Sequence, residues 1–435
     1  MERKRYFIET FGCQMNVNDS EKVAGLLQAD GYEAVASAEE ADFVFINTCA
    51  VREKASEKLF SALGRLKQLK AERPELSVGV GGCVAQLQGT AILERAPHVD
   101  VLVGTHNVAR VPDLARRAAA GVTAIDLDRR ADTFTIPDAH VAHSSAVRAY
   151  VTAIEGCNHV CSFCVVPRTR GPEVCRTPEA ITAEVECLVA RGYAEVMLLG
   201  QTVNAYRVGT VDFPGLLARV HAVPGLQRLR FTTSHPSEVT PAMAAAFRDL
   251  PRLCPYIHLP VQSGSDRVLA AMRRGYTRAE YLEKIALLRA SRPDLAITSD
   301  IIVGYPGETE AEFEDTVSLI EAVRFDGLFV FMYSPRPGTT AVREADDVVE
   351  AEKKRRFHVL NNHQQREQRQ RHAVFVGTRQ SVLVDSVDGP RLTGRSPHFR
   401  LVHFDGPSSW MGRVIDVEIT QSGPNSLVGR ALTRD

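Results

Sequence analysis

Apolar and polar positions alternate in two kinds of block over residues 1–120. Short apolar runs are separated by longer stretches in which apolar residues recur every three or four positions. The runs are "RYFIET", "FVFIN", "SVGVG" and "VDVLVG", and the stretches include "NDSEKVAGLLQADG" and "VREKASEKLFSALGRLKQL". Strands that alternate with amphipathic helices are typical of a parallel sheet covered by helices. The pattern therefore predicts an N-terminal parallel α/β domain over residues 1–120.

The same alternation returns over residues 148–345, after a connector at 121–147 that mixes Pro, His and polar residues. Its strand-like runs are "YVTAI", "AEVMLLG", "QRLRFTT", "YIHLPVQ", "AITSDIIVG" and "DGLFVFMYS". Helical patterns such as "TPEAITAEVECLVARG" separate these runs. The series predicts a central partial (β/α)6 barrel, which carries its functional residues at the carboxyl ends of its strands.

The pattern changes once more towards the C-terminus. A basic helical linker is predicted over residues 346–372, and short strands separated by turn residues occupy 373–435. Such strands predict a small all-β barrel of OB-like build. From Lys353 onward the chain has 14 Lys or Arg and 7 Asp or Glu, although its net charge is −1. This basic excess favours a nucleic-acid partner bound through its phosphates, and a basic surface without a partner is the alternative.

Length and composition agree with several domains. A chain of 435 residues exceeds the size of one ordinary core. Its 44% hydrophobic and 24% charged residues are typical of a globular protein. Neither a membrane-length apolar run nor a signal-peptide core is present in the sequence. We therefore expect a monomeric, cytoplasmic protein with no membrane segment.

Nine cysteines in a cytoplasmic chain predict metal binding or catalysis rather than disulfide bonds. Cys157, Cys161 and Cys164 form a C-x3-C-x2-C loop directly after the first predicted barrel strand. Structural zinc sites and iron–sulfur clusters usually take four protein ligands. Three thiols therefore indicate a metal centre with one open position, and a zinc site closed by His159 or Cys175 is the alternative.

Three other cysteines each follow a predicted strand of the N-terminal domain. Cys13, Cys49 and Cys83 are separated by 36 and 34 residues, about one βα unit each. The carboxyl ends of parallel strands share one edge of a sheet, where ligands bind. We expect the three thiols to meet there, and three unrelated buried cysteines are the alternative.

Several familiar motifs are incomplete. "GVGGCV" has Val84 where a dinucleotide fingerprint needs Gly or Ala, and "GYPGETE" lacks the Lys-Ser/Thr of a phosphate loop. A nucleophile elbow is also missing from the sequence. Hydride transfer, ATP hydrolysis and triad hydrolysis therefore have no support.

The loop "GCNHVCSFCVVPRTRG" resembles the signature of the radical S-adenosylmethionine (SAM) superfamily. "ETFGCQMNVNDSE", "INTCAVREKA" and "GVGGCVAQ" resemble the N-terminal domain of its methylthiotransferases, and the C-terminal block resembles their TRAM domain. The resemblance implies two [4Fe–4S] clusters, one on Cys157, Cys161 and Cys164 and an auxiliary one on Cys13, Cys49 and Cys83. It also implies SAM as cofactor, with contacts at Gln201, Ser234, Asp300 and Gly304. Ser and Asp at strand ends are also common helix caps, which is the alternative for two of these residues.

"GCQMNVNDSE", "INTCAVREKA" and "LGQTVNAY" are similar to the MiaB group of these enzymes. That likeness implies methylthiolation at C2 of N(6)-isopentenyladenosine next to the tRNA anticodon. A 5′-deoxyadenosyl radical would abstract the C2 hydrogen, the auxiliary cluster would supply sulfur, and SAM would supply the methyl group. The implied partners are the tRNA anticodon stem-loop and a reductant or electron-donor protein.

The alternatives are a methylthiotransferase that acts on threonylcarbamoyladenosine or on a ribosomal-protein aspartate, and a non-catalytic, metal-stabilised RNA-binding protein. No single catalytic side chain is predicted, because the two clusters would carry the chemistry.

Overall fold

The computed structural model describes residues 3–51, 53–129, 136 and 140–432, so the predicted connector at 121–147 lies partly outside the described residues. The chain divides into two compact units. The first comprises residues 1–144, 155–159 and 164–174, and the second comprises 145–154, 160–163 and 175–435. None of the described helices is both long and apolar enough to cross a membrane.

A parallel sheet forms the centre of the first unit. Its strands are β1 (Arg5–Phe11), β2 (Glu33–Ala34), β3 (Phe43–Thr48), β4 (Ser77–Gly81), β5 (Val101–Val103) and β6 (Ala124–Asp126), in the spatial order β2-β1-β3-β4-β5-β6. The helices are α1 (Gln14–Ala29), α2 (Glu53–Glu72), α3 (Cys83–Gln88), α4 (Ala91–Arg95) and α5 (Val111–Ala119). Every residue of β3 and β4 is buried, because apolar clusters cover both faces of the sheet. This arrangement confirms the predicted α/β domain and explains its continuous apolar runs.

Strands and helices continue to alternate from Arg148 to Ala373. The strands are β7 (Arg148–Thr152), β8 (Ile154–Glu155), β9 (Val174–Cys175), β10 (Glu195–Leu199), β11 (Arg207–Val208), β12 (Val211–Asp212), β13 (Arg228–Phe231), β14 (Tyr256–His258), β15 (Ala296–Val303) and β16 (Gly327–Met332). The helices are α6 (Val166–Thr169), α7 (Pro178–Ala190), α8 (Phe213–His221), α9 (Pro241–Asp249), α10 (Asp266–Ala271), α11 (Arg278–Ser291), α12 (Glu310–Val323) and α13 (Glu350–Ala373).

The second unit contains the predicted partial barrel. Its six main strands form two parallel sheets, β13-β10-β7 and β14-β15-β16, and a parallel bridge joins Leu229 of β13 to Leu253 before β14. Apolar side chains on one face of these strands pack with the surrounding helices in one core. The opposite face of β7, β10 and β13 carries polar residues. There Arg148 and Arg230 both form ion pairs with Glu195.

A closed five-stranded barrel follows α13. Its strands are β17 (Arg379–Asp388), β18 (Arg391–Arg395), β19 (Leu401–Asp405), β20 (Val414–Ser422) and β21 (Leu427–Ala431), in the order β17-β18-β19-β21-β20. Trp410 and nine other buried apolar residues fill it. The predicted small all-β barrel is therefore confirmed. The helix expected as a linker, α13, packs against the central strands, because its Leu360 belongs to their core.

Buried arginines join this C-terminal barrel to the central strands. Arg228 donates hydrogen bonds of 2.6 Å each to the carbonyl oxygens of Arg395 and Ser381. Arg230 donates bonds of 2.8 Å each to the carbonyl oxygens of Pro397 and Ser396. The C-terminal barrel is therefore held by side chains of β13 as well as by its covalent connection to α13.

Candidate metal centres and cofactor site

The three N-terminal cysteines follow neighbouring strands of the first sheet. Cys13 caps the N-terminus of α1 after β1, Cys49 directly follows β3, and Cys83 begins α3 after β4. The Cys13 and Cys49 thiols shift each other's pKa, and both thiols interact electrostatically with Cys83. The three thiols lie together at the carboxyl edge of the sheet, as their positions after strands led us to expect. Their binding of iron stays a prediction.

One polar network holds all three cysteine-bearing turns. The buried side chains of Asn16 and Asn47 form a hydrogen bond of 3.0 Å, and Asn47 also donates to the Asn16 carbonyl oxygen at 2.9 Å. The Cys13 Sγ lies 3.4 Å from the Asn16 Oδ1. Gly82 precedes Cys83 with φ +85°, and a Cβ there would lie 2.2 Å from the Asn47 Oδ1. The glycine is therefore required for this turn to pass the asparagine pair.

The thiols of this site differ in their ionisation. The hydrogen bond from Cys49 is the main cause that lowers the pKa of Cys13, and the same bond raises the pKa of Cys49. Burial raises the pKa of Cys83, whereas the nearby guanidinium of Arg170 opposes that effect. A metal ligand must be a thiolate, so the lowered pKa of Cys13 favours the form that binds a metal.

Arg170 is a buried cation beside the N-terminal thiols. Its guanidinium forms an ion pair with Asp19, and its Nη1 lies 3.9 Å from the Glu155 carboxylate. Burial opposes the charge of Arg170, but Asp19 and Cys83 are the main causes that raise its pKa well above the ordinary value. This fixed positive charge helps to lower the pKa of Cys13 and opposes the rise in the pKa of Cys83.

The backbone of the first unit shapes both ends of the three-cysteine loop. The Cys157 N–H donates to the Gly171 carbonyl oxygen at 3.2 Å. Gly156 has φ +79°, and a Cβ there would lie 2.0 Å from the Pro172 carbonyl oxygen. At the other end, the Val166 N–H donates to the Cys164 Sγ at 3.4 Å. This backbone N–H therefore helps to hold the Cys164 sulfur in place.

Cys161 belongs to the second unit, where its sulfur contacts a buried arginine. The Arg274 Nη1 lies 3.3 Å from the Cys161 Sγ. Its Nη2 donates to the Pro260 carbonyl oxygen at 2.8 Å, and its Nε donates to the Tyr276 hydroxyl at 2.9 Å. The guanidinium is therefore held from three sides.

The described residues include no group of three His, Cys, Asp or Glu side chains arranged around a single metal ion. In a four-iron cluster each cysteine thiolate binds a different iron. The ligands therefore need not surround a single point. Cys175, offered above as a fourth zinc ligand, packs against the apolar core of the central strands. That contact favours a packing role for Cys175 over a role as a zinc ligand.

The expected SAM contacts lie near the carboxyl ends of the central strands. Gln201 follows β10, Ser234 follows β13, Asp300 lies within β15 and Gly304 follows β15. The Ser234 residue is buried, and its Oγ has no hydrogen-bond partner among the described residues. The Asp300 carboxylate lies 3.4 Å from the His258 Nε2. An unsatisfied buried hydroxyl at this edge fits a polar ligand group, so the donor set is compatible with SAM.

Gly304 has a local explanation that the sequence did not suggest. Its φ is +68°, and a Cβ there would lie 2.4 Å from the Lys353 Cγ. The glycine therefore allows the close approach of the Lys353 stem, which packs against it from α13. Its expected contact with SAM stays a prediction.

Three residues near these sites were not predicted from the sequence. Arg170 and Arg274 lie in "RTRG" and "MRRGY", where nothing in the local pattern indicates a contact with a cysteine. Gln262 has φ +78°, and its buried Oε1 has no hydrogen-bond partner among the described residues. Gln262 forms an isolated parallel bridge with Ile301 of β15, and a strained residue with an unsatisfied buried atom is typical of a ligand site.

Comparison with known proteins agrees with this arrangement of domains. The family model described as "Uncharacterized protein family UPF0004" matches residues 5–104, the radical SAM superfamily matches 151–320, and the TRAM domain matches 373–432. The solved structure of the radical SAM methyltransferase TsrM from Kitasatospora setae has a TM-score of 0.56 at 15% identity, and the match covers 79% of this chain and 77% of that one. The fold is thus that of a radical SAM enzyme with an N-terminal UPF0004 domain and a C-terminal TRAM domain.

Relatives with higher identity define the family. A tRNA-2-methylthio-N(6)-dimethylallyladenosine synthase from Geobacter metallireducens is 48% identical, with 98% of both chains covered. Proteins of the same name from Chromobacterium violaceum and Neisseria meningitidis serogroup B are 48% and 46% identical, with 99% of both chains covered in each case. The chain belongs to the tRNA-2-methylthio-N(6)-dimethylallyladenosine synthase family, which confirms the resemblance seen in its motifs.

Proposed function

We propose that this chain methylthiolates C2 of N(6)-isopentenyladenosine beside the anticodon of tRNA. The observation that carries the proposal is the meeting of Cys13, Cys49 and Cys83 at one sheet edge, in a chain that also has the C-x3-C-x2-C loop of radical SAM enzymes. Two incomplete thiol sets suit two iron–sulfur clusters, each with a position open for a non-protein ligand. The names of the relatives supply the substrate.

The residues present fit these groups. Cys157, Cys161 and Cys164 would hold the cluster that reduces SAM, and Cys13, Cys49 and Cys83 would hold the auxiliary cluster. When bound, the two clusters and SAM would supply the electron, the deoxyadenosyl radical, the sulfur and the methyl group that the reaction needs. The sulfur and methyl group would replace the C2 hydrogen, and that hydrogen would leave in 5′-deoxyadenosine.

The chain itself would bind and orient the reactants. The Asn16–Asn47 pair keeps the N-terminal thiols together, and Arg170 keeps a positive charge beside them. Ser234 after β13 and Gln262 beside β15 offer unsatisfied polar atoms to SAM. The C-terminal barrel and its basic excess would bind the tRNA phosphates, and the target adenosine must leave the anticodon stack to be reached.

Anaerobic reconstitution with iron and sulfide, followed by reaction with SAM and dithionite, tests the proposal. Four substrates would be compared: prenylated, threonylcarbamoylated and unmodified tRNA, and ribosomal protein. Mass spectrometry of the digested products should show a 2-methylthio nucleoside from the prenylated tRNA, with little product from the others. The variant with Cys157, Cys161 and Cys164 changed to Ala is the matched control and should not cleave SAM. A methylthio group on the ribosomal protein alone would overturn the assignment.

A further inference from the structure

Arg274 is a buried cation that has no acidic partner among the described residues. The residue is 6% exposed, and its three hydrogen-bond partners are a carbonyl oxygen, a tyrosine hydroxyl and the Cys161 sulfur. Within the described part of the chain, no carboxylate lies in ion-pair distance of its guanidinium. Burial raises the pKa of Tyr276, so that hydroxyl is neutral and supplies no negative charge. The Cys161 sulfur is therefore the one of these three contacts that would carry negative charge as a metal ligand.

A guanidinium stays protonated in proteins, and its burial is unfavourable unless an anion lies close to it. Cys161 as a cluster ligand would provide that anion, because ligating thiols are deprotonated. Each electron added to the cluster increases the negative charge beside the guanidinium. Arg274 should therefore stabilise the reduced cluster more than the oxidised one.

We propose that Arg274 is a positioning residue that orients Cys161 and raises the reduction potential of the cluster at the C-x3-C-x2-C loop. The inference rests on the proposed function, since it assumes an iron–sulfur cluster at this loop. The redox step is the transfer of one electron from a low-potential one-electron donor to the cluster, without breakage of a bond or transfer of a proton. Hydrogen bonds to sulfur and net charge are known determinants of cluster potential.

The first unit offers a comparison within the same chain. Arg170 also interacts with a cysteine, Cys83, but its guanidinium forms an ion pair with the buried carboxylate of Asp19. That carboxylate offsets much of the positive charge that the N-terminal site experiences. The loss of Arg274 should accordingly change the potential of its cluster more than the loss of Arg170 changes the potential of the other.

The test measures the cluster potential of Arg274→Met in a background in which Cys13, Cys49 and Cys83 are changed to Ala. This background leaves a single cluster to titrate. Electron paramagnetic resonance would follow reduction by dithionite in the reconstituted protein. At a fixed potential the reduced-to-oxidised ratio should fall at least tenfold, a shift of about 59 mV to more negative potential for one electron. Arg289→Met removes an arginine that binds the Val323 carbonyl oxygen and should leave the ratio unchanged.

If Arg274→Met takes up no iron, two further variants still test the effect of Arg274 on the reduction potential. Arg274→Lys keeps the charge and Arg274→Gln keeps a hydrogen-bond donor, so the Gln variant should have the more negative potential. Equal potentials in these variants, or a wild-type potential in a loaded Arg274→Met protein, would overturn the inference. Wild-type protein that binds no cluster would instead refute the proposed function, so the two failures are distinguishable.

Discussion

Replacement of Arg230 by methionine should loosen the attachment of the C-terminal barrel to the central strands. The Arg230 side chain is 1% exposed, and its ion-pair partner Glu195 is fully buried. The guanidinium donates one hydrogen bond to this carboxylate and two to the carbonyl oxygens of Ser396 and Pro397. Methionine keeps an unbranched apolar stem but removes the charge and all three bonds.

The magnitude follows from the buried ion pair. Removal of one partner of such a pair costs about 3–5 kcal/mol, because the remaining charge stays buried. Burial raises the pKa of Glu195, but Arg230 and Arg148 outweigh it and lower that pKa from 4.5 to about 2. At about 1.36 kcal/mol per pKa unit, the favourable environment of this carboxylate contributes roughly 3 kcal/mol. Because Arg148 remains as a partner, we expect a loss near the lower value, about 3 kcal/mol.

The single tryptophan provides the assay. Trp410 is buried inside the C-terminal barrel, so its fluorescence in guanidinium chloride reports the unfolding of that barrel. Arg230→Met should lower the denaturation midpoint. The control is Arg379→Met, which removes the pair between Arg379, whose side chain is 66% exposed, and Asp416. An exposed pair contributes at most about 1 kcal/mol. A midpoint for Arg230→Met no lower than that of the control would refute the reasoning.

The same pair predicts a dependence on pH. The pKa of Glu195 is lower in the folded than in the unfolded chain, so its contribution is complete above about pH 4.5 and decreases towards pH 2. The stability difference between wild type and Arg230→Met should therefore shrink as the pH falls through this range. A difference that stays constant down to pH 2 would show that Glu195 is not the partner responsible.

Three other predictions concern the clusters and the RNA. Replacement of Cys157, Cys161 and Cys164 by Ala should remove about half of the iron bound after reconstitution, as measured by iron and sulfide analysis; an unchanged iron content would exclude these ligands. Asn47→Ala breaks buried hydrogen bonds worth about 1–3 kcal/mol and should reduce iron binding at the N-terminal site, while dithionite-dependent SAM cleavage persists. Arg413→Ala removes an exposed charge of the C-terminal barrel and should lower the slope of log affinity for tRNA against log salt by about 0.7–0.9; an unchanged slope would exclude a phosphate contact.

The sequence alone was sufficient to predict the order and type of the domains. Strand and helix periodicities are local properties, so the α/β domain, the partial barrel and the small β barrel could all be recognised from their patterns. The expected convergence of Cys13, Cys49 and Cys83 was also readable. A position after a parallel strand already determines the edge of the sheet on which a residue lies.

The surroundings of those cysteines depended on the tertiary structure. Arg274 is separated from Cys161 by 113 residues, and Arg230 is separated from Ser396 by 166. An arginine has the same local pattern whether it meets solvent, a carboxylate or a thiol, so its partner cannot be predicted from its neighbours in sequence. Long-range packing therefore decided how the C-terminal barrel is attached and which charge lies beside Cys161. Only the folded chain removes these guanidinium groups from water and selects their partners.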